Sequence, residues 1–336
     1  MAELRHLLPP VGRYFKACLH THSTISDGRL SPQELKDLYK SKGYSILSLT
    51  DHNVVADHSD MNDADFLMLT GIEVNTNQAN ANPWMKTYHL NLIAKRPDIV
   101  WQPYPSASTK PEAAEYLAKA TPAAMDNAYS VENVNAIIAE ANRQGYLVFY
   151  NHPGWSLQDY TDYAPLKGLW GMELCNYSSI YAGFDDVDNS MVYRDMLNQG
   201  NRLVPLGTDD SHSVQDACGA WIMVGAEKLE YGSVIQALEN GDLYASTGPE
   251  IYSLTIEGDI LTVKCSDARQ VRLEASTRFA RSVVPIHNDG LLREAKFDLS
   301  PWRKANLRNE DWLRIVVHGP YGHYASSRAY FTDELF

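Results

Sequence analysis

The sequence predicts an α/β protein with a mainly parallel sheet over about its first 245 residues, followed by a small all-β sandwich. Short apolar runs alternate with helical stretches up to Ser246, the mark of repeated β-α units. After Ser246-Thr-Gly-Pro249 the helical period disappears and short alternating runs bounded by turn residues replace it. The length, 336 residues, accommodates two domains at roughly 150 residues each, placed here at 1–246 and 247–336.

The elements follow in order. A strand is expected at Tyr14–Leu19, then a helix opened by the capping box Ser31-Pro-Gln-Glu34 and ended by Gly43. Apolar runs at Tyr44–Thr50, Phe66–Val74 and Tyr88–Ala94 read as further strands. The proline-rich segment from Pro97 to Pro122 reads as an insertion or lid. Ser130 caps a helix over Val131–Gln144, whose Val134, Ile137, Ile138 and Ala141 recur at helical spacing before Gly145. Strands at Tyr146–Tyr150, Leu169–Cys175, Arg202–Gly207 and Trp221–Val224 are interleaved with helices near Asp188–Gln199 and Tyr231–Asn240. Beyond Pro249, strands are expected at Ile251–Ile256, Ile260–Cys265, Val271–Ala275, Lys296–Leu299 and Trp312–Val317.

Composition excludes several classes. Hydrophobic residues make up 44% and charged residues 21%, so the chain is not disordered. No apolar run reaches the ~18 residues of a membrane span, which predicts a water-soluble protein with no membrane partner. The opening MAELRHLLPPVGRYF lacks a signal-peptide core, which places the protein in the cytoplasm if that start is native. The net charge is −13, and because 12 basic and 12 acidic residues balance beyond Pro249, all of it lies in the first 249 residues. That argues against a long nucleic acid partner, whose binding needs basic side chains to displace counterions. The four cysteines are scattered with no CxxC, so neither a disulfide framework nor a thiolate zinc site is expected.

The eleven histidines carry more information. His20 and His22 follow the first strand, with Asp27 close behind. His52 follows the second in Thr50-Asp-His-Asn53, and Glu73 closes the third in Gly71-Ile-Glu73. His152 follows the fifth in Asn151-His-Pro153, and a later strand leads into Gly207-Thr-Asp-Asp-Ser-His212. His89 begins its strand and breaks the pattern. Strand ends of a parallel sheet open onto one face, where loops build a site on a rigid frame. Alternate residues of an extended chain point the same way, so His20-Thr-His22 suits a single ion. Imidazole and carboxylate without thiolate favour zinc, manganese or iron over calcium. His6, His58, His287, His318 and His323 have no such company and read as structural or surface residues. Trp302 and Trp312 read as core.

This ordered series resembles the polymerase and histidinol phosphatase (PHP) superfamily of metal-dependent phosphoesterases, over about residues 14–245. The resemblance implies a distorted (β/α)7 barrel with two or three divalent ions at the C-terminal face of its strands. The tail resembles the small β-sandwich that some members carry. The implied first metal takes His20, His22, Glu73 and either Asp209 or Asp210. The second shares Glu73 and adds His89 and His152, and the third takes Asp27, His52 and His212. Water between two such ions loses its proton near neutral pH and attacks a phosphate ester, with Glu73 and Asp210 holding the ions and His212 serving the leaving oxygen. Glu173 and Asn176 would orient a ligating histidine. Arg29, Lys86 and Arg194 are candidates to grip phosphate, and the loops Asn75–Thr87 and Pro97–Pro122 to set specificity. A small phosphorylated metabolite or nucleotide is the expected substrate. The rival readings are an amidohydrolase-like enzyme of non-phosphate substrates and a binding protein that kept the fold.

Overall fold

A computed structural model describes residues 3–10, 14–77, 85–287 and 290–336. Seven strands lie side by side in chain order: β1 (Phe15–Cys18), β2 (Ile46–Leu49), β3 (Leu67–Asn77), β4 (Thr87–Ala94), β5 (Tyr146–Tyr150), β6 (Gly171–Asn176) and β7 (Val204–Thr208). The pairs β1/β2, β2/β3, β5/β6 and β6/β7 are parallel. Strand β4 runs antiparallel to both its neighbours. Among the described residues no ladder joins β1 to β7. The chain just past their ends is linked by the Asp210 N–H donating to the His20 carbonyl and the His22 N–H donating to the Ser211 carbonyl, each at 2.9 Å.

Local rules place the helices. Ser31 accepts from the Glu34 N–H, and Glu34 Oε2 accepts from the Ser31 N–H at 2.8 Å, so the Pro32–Ser41 helix begins where its capping box stands. The Val131–Gln144 helix is capped by Ser130 and stopped by Gly145 at φ 93°, a left-handed turn that suits glycine. Its Val134, Ile137, Ile138 and Ala141 pack into a core with Tyr146, Val148 and Tyr150 of β5. The Pro97–Pro122 segment holds the Ala114–Lys119 helix and packs through Ala113, Tyr116 and Leu117 against Ile25, Val54 and Ala56, behind the loops that follow β1 and β2.

On the β1 side the sheet continues through Trp221–Val224, antiparallel to β1, and Leu243–Ser246, then Tyr324–Ser327, Trp312–His318, Gln270–Ala275 and Arg281–Val283. A second, antiparallel sheet contains Ile251–Glu257, Ile260–Ala268 and Leu292–Asp298, with the Leu4–His6 strand at its edge. Leu254, Ile256, Leu261 and Val263 of that sheet share a core with Leu273, Leu313, Ile315 and Val317 of the first. Trp302 and Trp312 are buried. The tail is not free of helix: single turns form at Ser300–Arg303 and Thr332–Leu335, too short to leave a helical period in the sequence.

The loop after β1 folds back so tightly that a Cβ on Gly28 would lie 2.2 Å from the His22 carbonyl oxygen. Backbone, not a flexible side chain, is in the way. Gly28→Ala therefore forces the loop apart, and a loss of about 2 kcal/mol in urea unfolding is expected, together with weaker cation binding by His22.

Candidate metal centre

The reversed direction of β4 resolves the irregular position of His89. In an antiparallel strand the first residues lie at the end where parallel strands finish, and His89 pairs in register with Asn75 of β3. Glu73 does not close its strand, because β3 continues to Asn77, but its side chain is fully buried at the same end.

Six histidines meet at this carboxylate and at Asp210. His20 Nε2 and His22 Nε2 lie 3.1 and 2.9 Å from Asp210 Oδ1. His22 Nε2 and His52 Nδ1 lie 3.2 and 3.0 Å from Glu73 Oε2. His89 Nδ1 donates to Glu73 Oε1 at 2.9 Å, and His152 Nε2 lies 3.4 Å from the same oxygen. Farther out, Asp27 stands 3.5 Å from His212 and 3.6 Å from both His22 and His52. Three donor sets are close enough to hold cations: His20, His22, Glu73 and Asp210; His52, Glu73 and His89; and His22, Asp27, His52 and His212. His152, expected beside His89, lies against Glu73 but outside these three sets. His52 belongs to two of them.

One detail fits cations in particular. Glu73 Oε2 and Asp210 Oδ1 are buried and make no hydrogen bond, although imidazole nitrogens crowd both. The nitrogens and oxygens are close without being aimed at one another. The ligand atoms of each set lie within 4.8 Å of one another, close enough to surround one ion. No thiolate enters these sets, in keeping with zinc, manganese or iron.

The adjacent aspartates have opposite duties. Asp210, at φ 55°, turns into the cluster. Asp209 turns away and accepts from Tyr39 and from the backbone N–H groups of Cys218, Gly219 and Ala220, at 2.8 to 3.0 Å. Asp209 is thus not among the gathered donors; its four hydrogen bonds fix the loop beyond the site. Burial nevertheless pushes its pKa up to about 6.

A ring of partners aims the inner side chains. Glu173 Oε1 accepts from His20 Nδ1–H at 2.6 Å, which leaves Nε2 toward the cluster. The other Glu173 oxygen accepts from Asn176 and from the His152 N–H. Asn176 also reaches Asp210 Oδ2 at 3.2 Å, and Asn151 donates to Glu73 Oε1 at 2.7 Å.

The three expected phosphate grips are not assembled here. Lys86 is held by Asp159 and Asp162, each at 2.6 Å. Arg29 and Arg194 are exposed, and neither lines the cavity of about 310 Å³ over the cluster. Of the Asn75–Thr87 loop, residues 78–84 lie outside the described residues.

Sequence reasoning missed Asp51 and Trp155. Asp51 is fully buried and accepts from the backbone N–H and hydroxyl groups of both Ser23 and Ser26, pinning the loop that carries His22 and Asp27. Its place beside His52 gave no periodic signal. Trp155 lines the cavity three residues after His152, and only that proximity hinted at it.

Electrostatics complete the picture. Burial opposes a charged His22, but Asp210 and Glu73 outweigh it and raise its pKa to about 10; the same balance raises His152 to about 9. Burial lowers His52 to about 4, so it is neutral and able to ligate at pH 7.

A mixed α/β sheet gathers this ordered histidine and carboxylate series at one end, and the class it defines is that of a candidate metal centre on an α/β frame. No family model matches the chain. A curated 5'-3' exoribonuclease of Haemophilus influenzae is 40% identical over 63 residues, which is 18% of this chain and 23% of that protein. The match thus spans less than a quarter of the curated relative's length. Among solved structures, a two-domain protein of Bacteroides vulgatus containing a predicted PHP-like metal-dependent phosphoesterase is similar over 97% of both chains, at 16% identity and TM-score 0.46. An amidohydrolase of Chromobacterium violaceum with bound sulfate and no metal is similar over 59% of this chain and 87% of its own, at 19% identity and TM-score 0.39.

Two measurements follow. Asp210→Asn should lower the number of divalent ions bound per chain, whereas Asp209→Asn should keep that number and lower the melting temperature; metal analysis and calorimetry separate them. Protonated His22 cannot ligate and protonated His152 beside Glu73 repels an incoming cation, so metal binding between pH 7 and 9 should release protons and tighten as pH rises. Without metal the sign reverses for stability. Both pKa values lie above the unfolded 6.5, so their contribution is full below that pH and lost as pH climbs through about 9 to 10. The chelated protein should melt progressively lower over that window.

Proposed function

We propose that this chain is a hydrolase that cleaves phosphate esters of small molecules with two or three divalent ions. The single observation that supports it most is the mutual closeness of the His20, His22, Glu73 and Asp210 ligand atoms, with buried oxygens left free of hydrogen bonds. We read the seven strands as a distorted (β/α)7 barrel over residues 1–246, and residues 247–336 as an appended β-sandwich.

Ions bound there supply an acidic water and offset the negative charge that develops on phosphoryl oxygens. The chain's own residues do the rest. Glu73 is shared between donor sets, so it fixes the spacing of the sites. Glu173 holds the His20 ring in the tautomer that presents Nε2. His212 donates Nδ1–H to the Asp210 carbonyl at 2.8 Å, so with the outer donor set unfilled its protonated ring carries a second proton on Nε2 that can pass to a leaving oxygen. No lysine or arginine lines the cavity among its described residues, so cations held by the cluster would have to meet the phosphate's charge. The same wall lacks a lysine to bridge metals as a carbamate, which favours phosphoesters over amides and lactones. The short exoribonuclease match agrees with phosphoester chemistry, while the acidic barrel favours a small substrate over a polymer.

Chelation should abolish turnover of a phosphomonoester and phosphodiester panel, and manganese, zinc or iron should restore it. Partners of metal ligands are worth about 10–100-fold, so the His20→Ala, His22→Ala double variant should lose more than that in kcat/KM. Restored turnover of amides or lactones without phosphoesters would refute the assignment.

A further inference from the structure

We infer that the alcohol half of the substrate is an uncharged flat ring, which stacks on an aromatic shelf at Trp155, with Phe184 behind it and turned 62° to it; this rests on the phosphoesterase reading above. The cavity has two unlike sides. One is the donor cluster; the other is Trp155, Ser178, Ser179 and Ala182. The indole centroid lies 5.1 Å from that of His89 and 5.0 Å from that of His152, so the ring begins where the donors end. Trp155 is nonetheless 38% exposed and Phe184 is 40% exposed, with their ring centroids 6.5 Å apart. A large aromatic left open at the rim of a polar cavity is apolar area awaiting a ligand.

The shelf is built, not incidental. Asp186 is fully buried and accepts from the Gly154 and Trp155 N–H groups, each at 2.8 Å. Asn189 donates to it at 3.1 Å, and a Cβ on Gly154 would lie 2.9 Å from the Asp185 carbonyl. The backbone that carries the indole is therefore fixed from beneath.

Charge and size narrow the class. No lysine or arginine among the described residues lines the cavity, and the Ser178 hydroxyl is committed to Asp216 at 3.1 Å. A second phosphate or a carboxylate on the substrate would find no counter-charge beyond the ion cluster. A volume of about 310 Å³ is at the small end for ligand pockets and holds one ring with its phosphate.

The test compares phenylphosphonate with methylphosphonate by calorimetric titration of the manganese-loaded protein. Stacking of a ring on an aromatic side chain is worth about tenfold or more in affinity, so phenylphosphonate should bind at least about tenfold tighter. At equal metal content, Trp155→Ala should reduce that ratio to about twofold, Trp155→Phe should retain most of it, and Phe184→Ala, farther from the donors, should lose several-fold. Equal affinities for the two phosphonates, or a ratio that survives Trp155→Ala, overturns the inference. A phenyl preference in binding without hydrolysis of phenyl phosphate would uphold the shelf and defeat the phosphoesterase reading. Equal binding together with equal hydrolysis of phenyl and methyl phosphate would do the reverse.

Discussion

Everything at the open end of this sheet is organised by one electrostatic constraint: the carboxylates of Glu73 and Asp210 are withdrawn from water among six imidazoles. Burying an ionised carboxylate costs several kcal/mol unless opposite charge and hydrogen bonds replace its hydration. Asn151 serves one oxygen of Glu73, and Asn176 serves one of Asp210. The remaining oxygens have only imidazole nitrogens beside them. Positive charge must come from protons on those rings or from cations in their place. The raised pKa values of His22 and His152 are the proton version of that demand. Ion binding and proton loss are thus two sides of one equilibrium.

The same constraint explains the shape of the surrounding shell. A histidine can present only one nitrogen inward if the other is held, and the holders here are buried groups rather than water. Glu173 is fixed by Thr208, Asn176 and the His152 backbone before it touches His20. Ser156 meets His152 Nδ1 at 3.1 Å, and the Asp210 carbonyl accepts from His212. Each ring orientation is therefore set by a strand end or by the turn that follows it. Asp27, with its side chain 54% exposed, is held by the half-buried Ser26 hydroxyl at 3.2 Å rather than by a fully buried group, so its donor set is the softest of the three.

Much of this was legible in the sequence because it follows short-range rules. Capping at Ser31 and Ser130 and the apolar stripe of Val131–Gln144 need only neighbours in the chain. The positions of His20, His22, His52 and His152 needed only the rule that parallel strands finish on one face. What stayed hidden depends on direction and on long-range hydrogen bonds. An apolar run such as Tyr88–Ala94 carries no sign of which way it runs, so His89 looked misplaced until β4 proved antiparallel. Adjacent Asp209 and Asp210 are chemically equal, and what separates them is Tyr39 and the 218–220 backbone, far away in sequence. Lys86 offered a free cation to the sequence, but Asp159 and Asp162 claim it.

The tail bears on the site through the same long-range bonds. The Tyr324 hydroxyl donates to the carbonyls of Leu174 and Val187, at 3.1 and 3.0 Å. Arg314, almost fully buried, pairs with Glu274 at 2.7 Å and donates to the Ser190 hydroxyl at 2.8 Å, while Trp312 Nε1 donates to Asn198. These bonds grip residues 187–198 on both sides of Asn189, which in turn holds Asp186 beneath the Trp155 loop. A buried arginine is expensive to leave unpaired, so this contact resists separation of the two sheets' shared core from the flank of β6. The wall of the cavity that faces the donor cluster is consequently fixed from the tail, while the donors themselves are fixed from the strands. Every described lining residue of that pocket comes from the strand half, residues 27–212, and the tail acts on it only from behind, through Trp312, Val316 and Tyr324 in the same core as β5 and β6.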